Sequence, residues 1–248
     1  MYNPFSLSGK TVLVTGASSG IGRATAIECA KMGATVILTA RNEERLQATL
    51  AEMSGEGHRY ILADLTDEAQ MQALCNELPN LDGVVFSAGK SLLKPIQVLS
   101  EKDITSVFST NYTAPVLLTK TLVKTRKLNK EASLVYIASI SGNGNTAPAL
   151  AIYGSSKSSL TSFVQYAALE LAGRQIRCNA ICPGRIETGL LQNQSMSAEE
   201  IQKDIDKYPL RRYGKPEEVA QAAVYLLSDA TQWMTGTALK LDGGRTIA

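Results

Sequence analysis

Residues 11–22 read TVLVTGASSGIG, a β-branched run that ends directly in three closely spaced glycines, Gly16, Gly20 and Gly22. This layout predicts a strand entering a helix through a glycine turn. Glycine lacks the Cβ that keeps an anion off the backbone, and the first N–H groups of the next helix point outward with the favourable end of its dipole. Gly16, Ser18, Ser19, Gly20, Ile21 and Gly22 are therefore expected to cradle a phosphate, as in a bound dinucleotide. The turn is wider than G-x-G-x-x-G, with two further residues between the first pair of glycines.

The rest of the chain repeats that unit. Apolar runs of strand length fall near 11–15, 34–39, 59–63, 82–87, 132–138, 175–181 and 237–241, with helical periodicity between most of them. Runs such as Thr35-Val36-Ile37-Leu38 and Leu134-Val135-Tyr136-Ile137 are apolar throughout, as strands covered on both faces must be. The expected fold is α/β: a single doubly wound (Rossmann) parallel sheet of about seven strands with helices on both faces and ligands beyond the strands' carboxyl ends. No linker or charge block interrupts residues 1–248, which predicts a single dinucleotide-binding and catalytic domain. Residues 185–210 depart from the rhythm, with Leu190, Leu191, Met196, Ile201 and Ile205 scattered among polar residues, and are expected to cover a substrate.

A net charge of +2 gives no nucleic-acid footprint, and no apolar run approaches a bilayer span. Met1–Lys10 lacks the basic start and apolar stretch of a signal peptide, so a cytoplasmic location is expected. Cys29, Cys75, Cys178 and Cys182 fit no zinc or C-x-x-C spacing and are read as reduced structural thiols. The single histidine, His58, excludes a Ser-His-Asp triad and a histidine metal centre, and no metal is expected. Lys120, Lys124, Arg126, Lys127 and Lys130 crowd one helix end, where cations complement the dipole; with Arg174 and Arg177 they could instead receive an acidic partner.

Tyr153 and Lys157 stand four residues apart in a segment that continues helically through Leu160, Phe163, Val164 and Ala167, which puts them on one face. A cation beside a phenol favours phenolate and lowers its pKa from about 10, making Tyr153 a candidate general acid/base.

The set Thr15-Gly-Ala-Ser-Ser-Gly-Ile-Gly22, Asn111, Ser139, Tyr153-x-x-x-Lys157 and Pro183-Gly184 with Thr188 resembles the classical short-chain dehydrogenases/reductases in order and spacing over essentially the entire chain. The segment PLRRYGKPEEV at 209–219 and the terminal Leu241-Asp242-Gly243-Gly244 look like its β-ketoacyl carrier-protein reductase branch. The resemblance implies that Tyr153 gives a proton to the substrate oxygen and that Ser139 hydrogen-bonds that oxygen. Ser141 lies two residues on, but Ile137-Ala-Ser-Ile-Ser-Gly142 favours Ser139 in register. It further implies that Lys157 tunes Tyr153 and holds the nicotinamide ribose. Asn111 would join a proton relay to solvent, its carbonyl freed by Pro115, which has no N–H to give.

Asp64 and Leu65 resemble the family's adenine contact, Ala88 and Gly89 a close approach to the cofactor, and Pro183, Gly184, Ile186 and Thr188 its contact with the nicotinamide end. Phe86-Ser87 stands where the family usually has Asn-Asn, so the bracing those amides give is missing. After the second strand comes Ala40-Arg41 in place of an acid, which predicts a 2′-phosphate contact and hence NADPH/NADP. The activity implied is NADPH-dependent reduction of a ketone or β-keto substrate, free or carrier-protein-bound, by a homodimer or homotetramer. The alternatives are a sugar or secondary-alcohol dehydrogenase of the same fold and a non-catalytic NADPH-binding sensor or assembly subunit.

Overall fold

A computed structural model describes residues 2–188 and 197–248. Within them the seven expected strands form: β1 Thr11–Thr15, β2 Thr35–Ala40, β3 Arg59–Leu62, β4 Leu81–Phe86, β5 Leu128–Ile137, β6 Arg177–Pro183 and β7 Ala238–Leu241. All pair in parallel, in the order β3-β2-β1-β4-β5-β6-β7. The helices are α1 Gly20–Lys31, α2 Glu43–Ala51, α3 Glu68–Glu77, α4 Glu101–Phe108, α5 Ala114–Lys124, α6 Ala151–Leu171, α7 Ala198–Ile205 and α8 Pro216–Leu227. The sheet is thus the doubly wound α/β sheet the repeat implied.

The central strands carry apolar runs because they feed two cores. Along β1, Val12 and Val14 pack with Val36, Leu38 and the apolar face of α8, whereas Leu13 packs with Ile37, Val84 and residues of α3, α5 and α6. Each fully buried aliphatic side chain contributes about 1.5–3 kcal/mol of transfer free energy, so an alternating polar pattern would be heavily penalised here.

Caps place the helices directly behind the strand ends. The Asn42 side chain accepts from the Arg45 N–H at 2.9 Å to start α2, and Asp67 accepts from the Gln70 N–H at 3.0 Å to start α3. Ser100 with Asp103 and Ser197 with Glu200 form reciprocal capping boxes at α4 and α7. Each cap stabilises its helix by about 1 kcal/mol, and the first two fix the backbone beside Arg41 and Asp64.

β5 begins four residues earlier than the apolar pattern indicates. Leu128 pairs with Leu81, the polar residues 129–131 bulge with Glu131 at φ +67°, and regular pairing resumes at Ser133 opposite Gly83. Polar residues in that bulge hid the start of the strand. The expected basic patch is also smaller than its sequence count. Lys127 caps the end of α3 at the Leu78 carbonyl, Arg174 bonds the Leu128 carbonyl, and Arg177 is buried, donating to Leu226 O at 2.8 Å and Thr231 Oγ1 at 2.9 Å. These three cations serve the fold, and a dock for an acidic partner would be left with Lys120, Lys124, Arg126 and Lys130.

His58 is structural too, its ring nitrogens meeting the Val36 N–H at 3.1 Å and the Ser54 carbonyl at 2.9 Å. All four cysteines are buried free thiols. Among the described residues no helix is long and apolar enough to cross a membrane. The expected covering segment contributes α7, while Leu190, Leu191 and Met196 lie outside the described residues. Strand order reverses between β1 and β4, and the loops leaving their carboxyl ends part there to open a crevice.

Candidate active site

The glycine turn after β1 is packed hard against the loop after β4. Gly16 has φ +65°, and a Cβ there would stand 2.8 Å from the Ala88 Cα and N. A Cβ on Gly22 would come within 2.3 Å of the Gly16 carbonyl oxygen, so α1 can start only where it does because that side chain is absent. Thr188 reaches the same turn, since a Cβ on Gly20 would meet its Cγ2 at 3.2 Å. The bracing expected to be lost with Phe86-Ser87 is supplied by Thr15, whose hydroxyl accepts from the Ser87 N–H at 3.0 Å and the Ala88 N–H at 3.1 Å.

These loops line one cleft of about 1580 Å³. It takes in every cofactor-binding residue expected from the sequence, from Gly16 through Thr188, together with Ser139, Tyr153 and Lys157. Asn111 stands behind its wall.

α6 carries Tyr153 and Lys157 one turn apart. The turn after β5 is pinned to β6 by the Ala138 N–H on Ile181 O at 2.8 Å and the Ile140 N–H on Pro183 O at 3.0 Å, and this presents Ser139 to the cleft. Ser139 Oγ accepts from the Ser141 N–H at 3.1 Å, and Ser139 is the serine whose side chain acts on the Tyr153 phenol.

Lys157 is buried with Nζ donating to Ile137 O at 2.7 Å, and burial pulls its pKa down to about 8. Burial pushes the Tyr153 phenol up, against the opposing influence of the Ser139 side chain. The expected direction is therefore corrected: desolvation, not the neighbouring cation, sets the phenol, because the ammonium is committed to a main-chain carbonyl.

Asn111 does not sit in an ordinary helix interior. It lies in a five-residue π-turn, Ser109–Thr113, where the Ala114 N–H reaches back to Ser109 O just before Pro115 in α5. Its side chain makes three hydrogen bonds. Nδ2 donates to Lys90 O at 2.9 Å and Ser156 Oγ at 3.0 Å, and Oδ1 accepts from the Lys90 N–H at 2.9 Å. Ser156 in turn donates to the Tyr153 carbonyl at 2.7 Å, so Asn111 ties the loop after Gly89 to the first turn of α6. A Cβ on Gly89 would lie 3.4 Å from both Asn111 Oδ1 and Lys157 Nζ.

At the far rim, Arg41 Nη1 lies 3.6 Å from Asp64 Oδ2. Partial burial works to raise the Asp64 carboxyl, but bonds from the Thr66 N–H and hydroxyl, with the Arg41 charge, hold it below the usual range. Sequence reasoning missed Arg45, which lines the same rim and reads in sequence as an ordinary charge on α2. It also missed Thr39, hidden because a threonine is a common filler of strands. Among the described residues, the Thr39 hydroxyl is buried with no hydrogen-bond partner, and the residue lines the cleft. A glycine cradle, an orphaned hydroxyl and two arginines at one rim fit a phosphate-bearing dinucleotide.

Residues 16–246 match the family model described as enoyl-(acyl carrier protein) reductase. The chain belongs to the short-chain dehydrogenase/reductase family. Among its relatives in this family, a 3-oxoacyl-[acyl-carrier-protein] reductase FabG of Thermotoga maritima is 34% identical, over 97% of this chain and 99% of its own length. A tropinone reductase homolog of Arabidopsis thaliana is 31% identical over 98% and 94%. The Pseudomonas aeruginosa RhlG/NADP active-site complex superimposes with a TM-score of 0.92 at 31% identity, covering 99% of this chain and 100% of that one. A short-chain type dehydrogenase/reductase from Mycobacterium ulcerans gives 0.90 at 32% identity, covering 98% and 91%. The protein is thus an oxidoreductase of the short-chain dehydrogenase/reductase family, whose members use NAD(P)(H).

Proposed function

We propose that the protein is an NADPH-dependent carbonyl reductase that converts a ketone or β-keto substrate to a secondary alcohol. One observation carries the reading: Ser139 and the Tyr153 phenol line one cleft together, with Lys157 one turn along α6 and the Gly16–Gly22 turn in the same cleft. The phenol, raised by burial, stays protonated at neutral pH and gives up its proton only when an oxyanion develops beside it. The Ser139 hydroxyl donates to that same oxygen and stabilises its charge. Bound NADPH supplies the hydride that reaches the carbonyl carbon. Lys157, with a pKa near 8, holds a proton at neutral pH that it can release without a large cost, as a route for restoring the phenol requires.

NADPH over NADH is supported by Arg41 and Arg45 at a rim whose strand ends in Ala40 rather than an acid, with Asp64 already engaged by Thr66. The same side chains would hold a 2′-phosphate, and Thr39 would give the dinucleotide a buried hydroxyl. The test follows NADPH absorbance with a panel of β-keto thioesters, diketones and keto-sugars, with NADH in parallel. Turnover of at least one member, lost in Tyr153→Phe while NADPH still binds, is expected. NADPH binding without turnover of any member would instead identify a non-catalytic binding subunit.

A further inference from the structure

Beyond Pro183 the cleft carries charge that neither the Ser139-Tyr153-Lys157 group nor the Arg41 rim uses. Arg185, Lys207 and Arg245 line one wall, and Asp204 is the only acid among the described residues lining it. That carboxylate is already shared, taking Arg185 Nη1 at 2.8 Å, the Tyr213 hydroxyl at 2.9 Å and Lys207 Nζ at 3.4 Å. Arg245 pairs with no acid among the described residues.

Its backbone is nevertheless fixed. Asp242 accepts from the Gly244 N–H at 3.1 Å and the Thr246 N–H at 2.9 Å through its side chain, and from the Arg245 N–H at 3.0 Å through its carbonyl. This turn is locked to the Pro183-Gly184 turn, because a Cβ on Gly184 would lie 3.1 Å from Asp242 Cα and 3.2 Å from Tyr208 Cε1. A cation on a rigid turn that lines a cleft, with no acid paired to it among the described residues, suits an oxoanion, which a guanidinium can bind through two parallel N–H donors. The cleft also offers apolar lining at Leu93, Ala147, Pro148 and Leu150, beside the polar Lys90, Ser91 and Asn145.

We propose that the substrate is an anionic ketone, a carbonyl compound carrying a carboxylate or phosphate that Arg245, aided by Lys207, holds while its apolar part lies against Leu93 and Leu150. The proposal rests on the carbonyl-reductase reading and names the substrate class of that site. Arg245 is then a specificity residue: it selects for charge without touching the reacting carbon.

The test compares matched pairs under NADPH: 4-oxopentanoate with its methyl ester, and dihydroxyacetone phosphate with dihydroxyacetone. The charged member of at least one pair is expected to show about tenfold higher kcat/KM at low ionic strength, an advantage that shrinks as added salt screens the site. Which pair responds distinguishes a carboxylate from a phosphate. Arg245→Gln is expected to lower the charged-to-neutral ratio about tenfold, chiefly through KM, and Arg245→Lys to restore part of it. Equal kcat/KM within both pairs, or a ratio that Arg245→Gln does not move, would overturn the proposal. If no ketone at all is turned over, the carbonyl-reductase reading fails separately. Thermal shifts with the same four compounds then decide the charge question, and equal shifts within each pair overturn it.

Discussion

Arg41 and Asp64, which follow β2 and β3, form one ion pair 3.6 Å across the rim of the cleft, although sequence reading assigns them separate parts of a cofactor. The pair is solvent-facing, with the Arg41 side chain 79% exposed, so it is weak and readily exchanged for a phosphate. Arg41→Ala is expected to reduce the NADPH-to-NADH ratio of kcat/KM by about tenfold or more. Asp64→Asn removes the competing carboxylate and is expected to raise that ratio about two- to fivefold. Steady-state kinetics with both cofactors checks this, and a ratio unchanged in both variants would remove the 2′-phosphate from this rim.

Ser139 and Ser141 are distinguished by what their hydroxyls touch. Ser139 meets the Tyr153 phenol and accepts from the Ser141 N–H, whereas the Ser141 hydroxyl makes no such contact with the tyrosine. Ser139→Ala is expected to lower kcat by about 10²-fold or more with the fold intact, as for loss of one oxyanion donor. Ser141→Ala should stay within about threefold of the parent, because it removes no bond to the reacting oxygen. Reversed effects would move the assignment to Ser141.

Lys157 makes the protein's stability depend on pH in a defined direction. Its folded pKa of about 8 lies below its ordinary value of 10.5, so the folded state binds fewer protons than the unfolded chain between those limits. Stability from this group is therefore fully present above pH 10.5 and is lost as pH falls through 8. Lys157→Met, which keeps the length of the side chain without its charge, should be more stable than the parent at pH 7 by about 1–3 kcal/mol while losing turnover. The gap should close as pH rises past 10, while the titrations of the other buried thiols and phenols cancel between the two chains. Melting curves across that range are the measurement, and a constant gap would mean that burial leaves the Lys157 pKa at its ordinary value.

Gly16 and Gly9 share a left-handed backbone, at φ +65° and +77°, but only Gly16 faces a wall. Gly9→Ala meets nothing within 4 Å and should cost about 1–2 kcal/mol from backbone strain alone. Gly16→Ala adds overlap with the Ala88 backbone, raising the loss to about 2–5 kcal/mol and weakening NADPH binding as the two loops part. Denaturant unfolding of the two variants isolates the contact between the β1 and β4 loops.

The sheet was legible because its central strands are almost wholly buried and carry apolar runs. β5 was read late because residues 129–131 are polar where they bulge. The glycine turn and the pair on α6 were legible because local spacing fixes them. Relations across the sheet were not: Thr15 bracing Ser87 and Ala88, the orphaned Thr39 hydroxyl and the Arg41–Asp64 pair each join segments far apart in sequence. Desolvation was equally hidden, so the chain could pair Tyr153 with Lys157 but not reveal that burial, rather than charge, sets the phenol.

The Asn111 side chain spends both its N–H donors on Lys90 and Ser156 and takes the Lys90 N–H on its oxygen. A proton relay through this residue would run by its main-chain carbonyl, which Pro115 cannot occupy four residues on because it has no N–H. The π-turn at Ser109–Thr113 is the local widening that accommodates that missing donor. Pro115→Ala restores an N–H at that position and lets the turn close into regular helix, which takes the carbonyl out of use. The expected result is a kcat lowered about three- to tenfold with a larger solvent isotope effect, while the melting temperature holds or rises because a helix bond has been gained. A fall in kcat that merely tracks lost stability would assign Asn111 to bracing the loop after Gly89, and an unchanged rate and isotope effect would remove the carbonyl from the proton path.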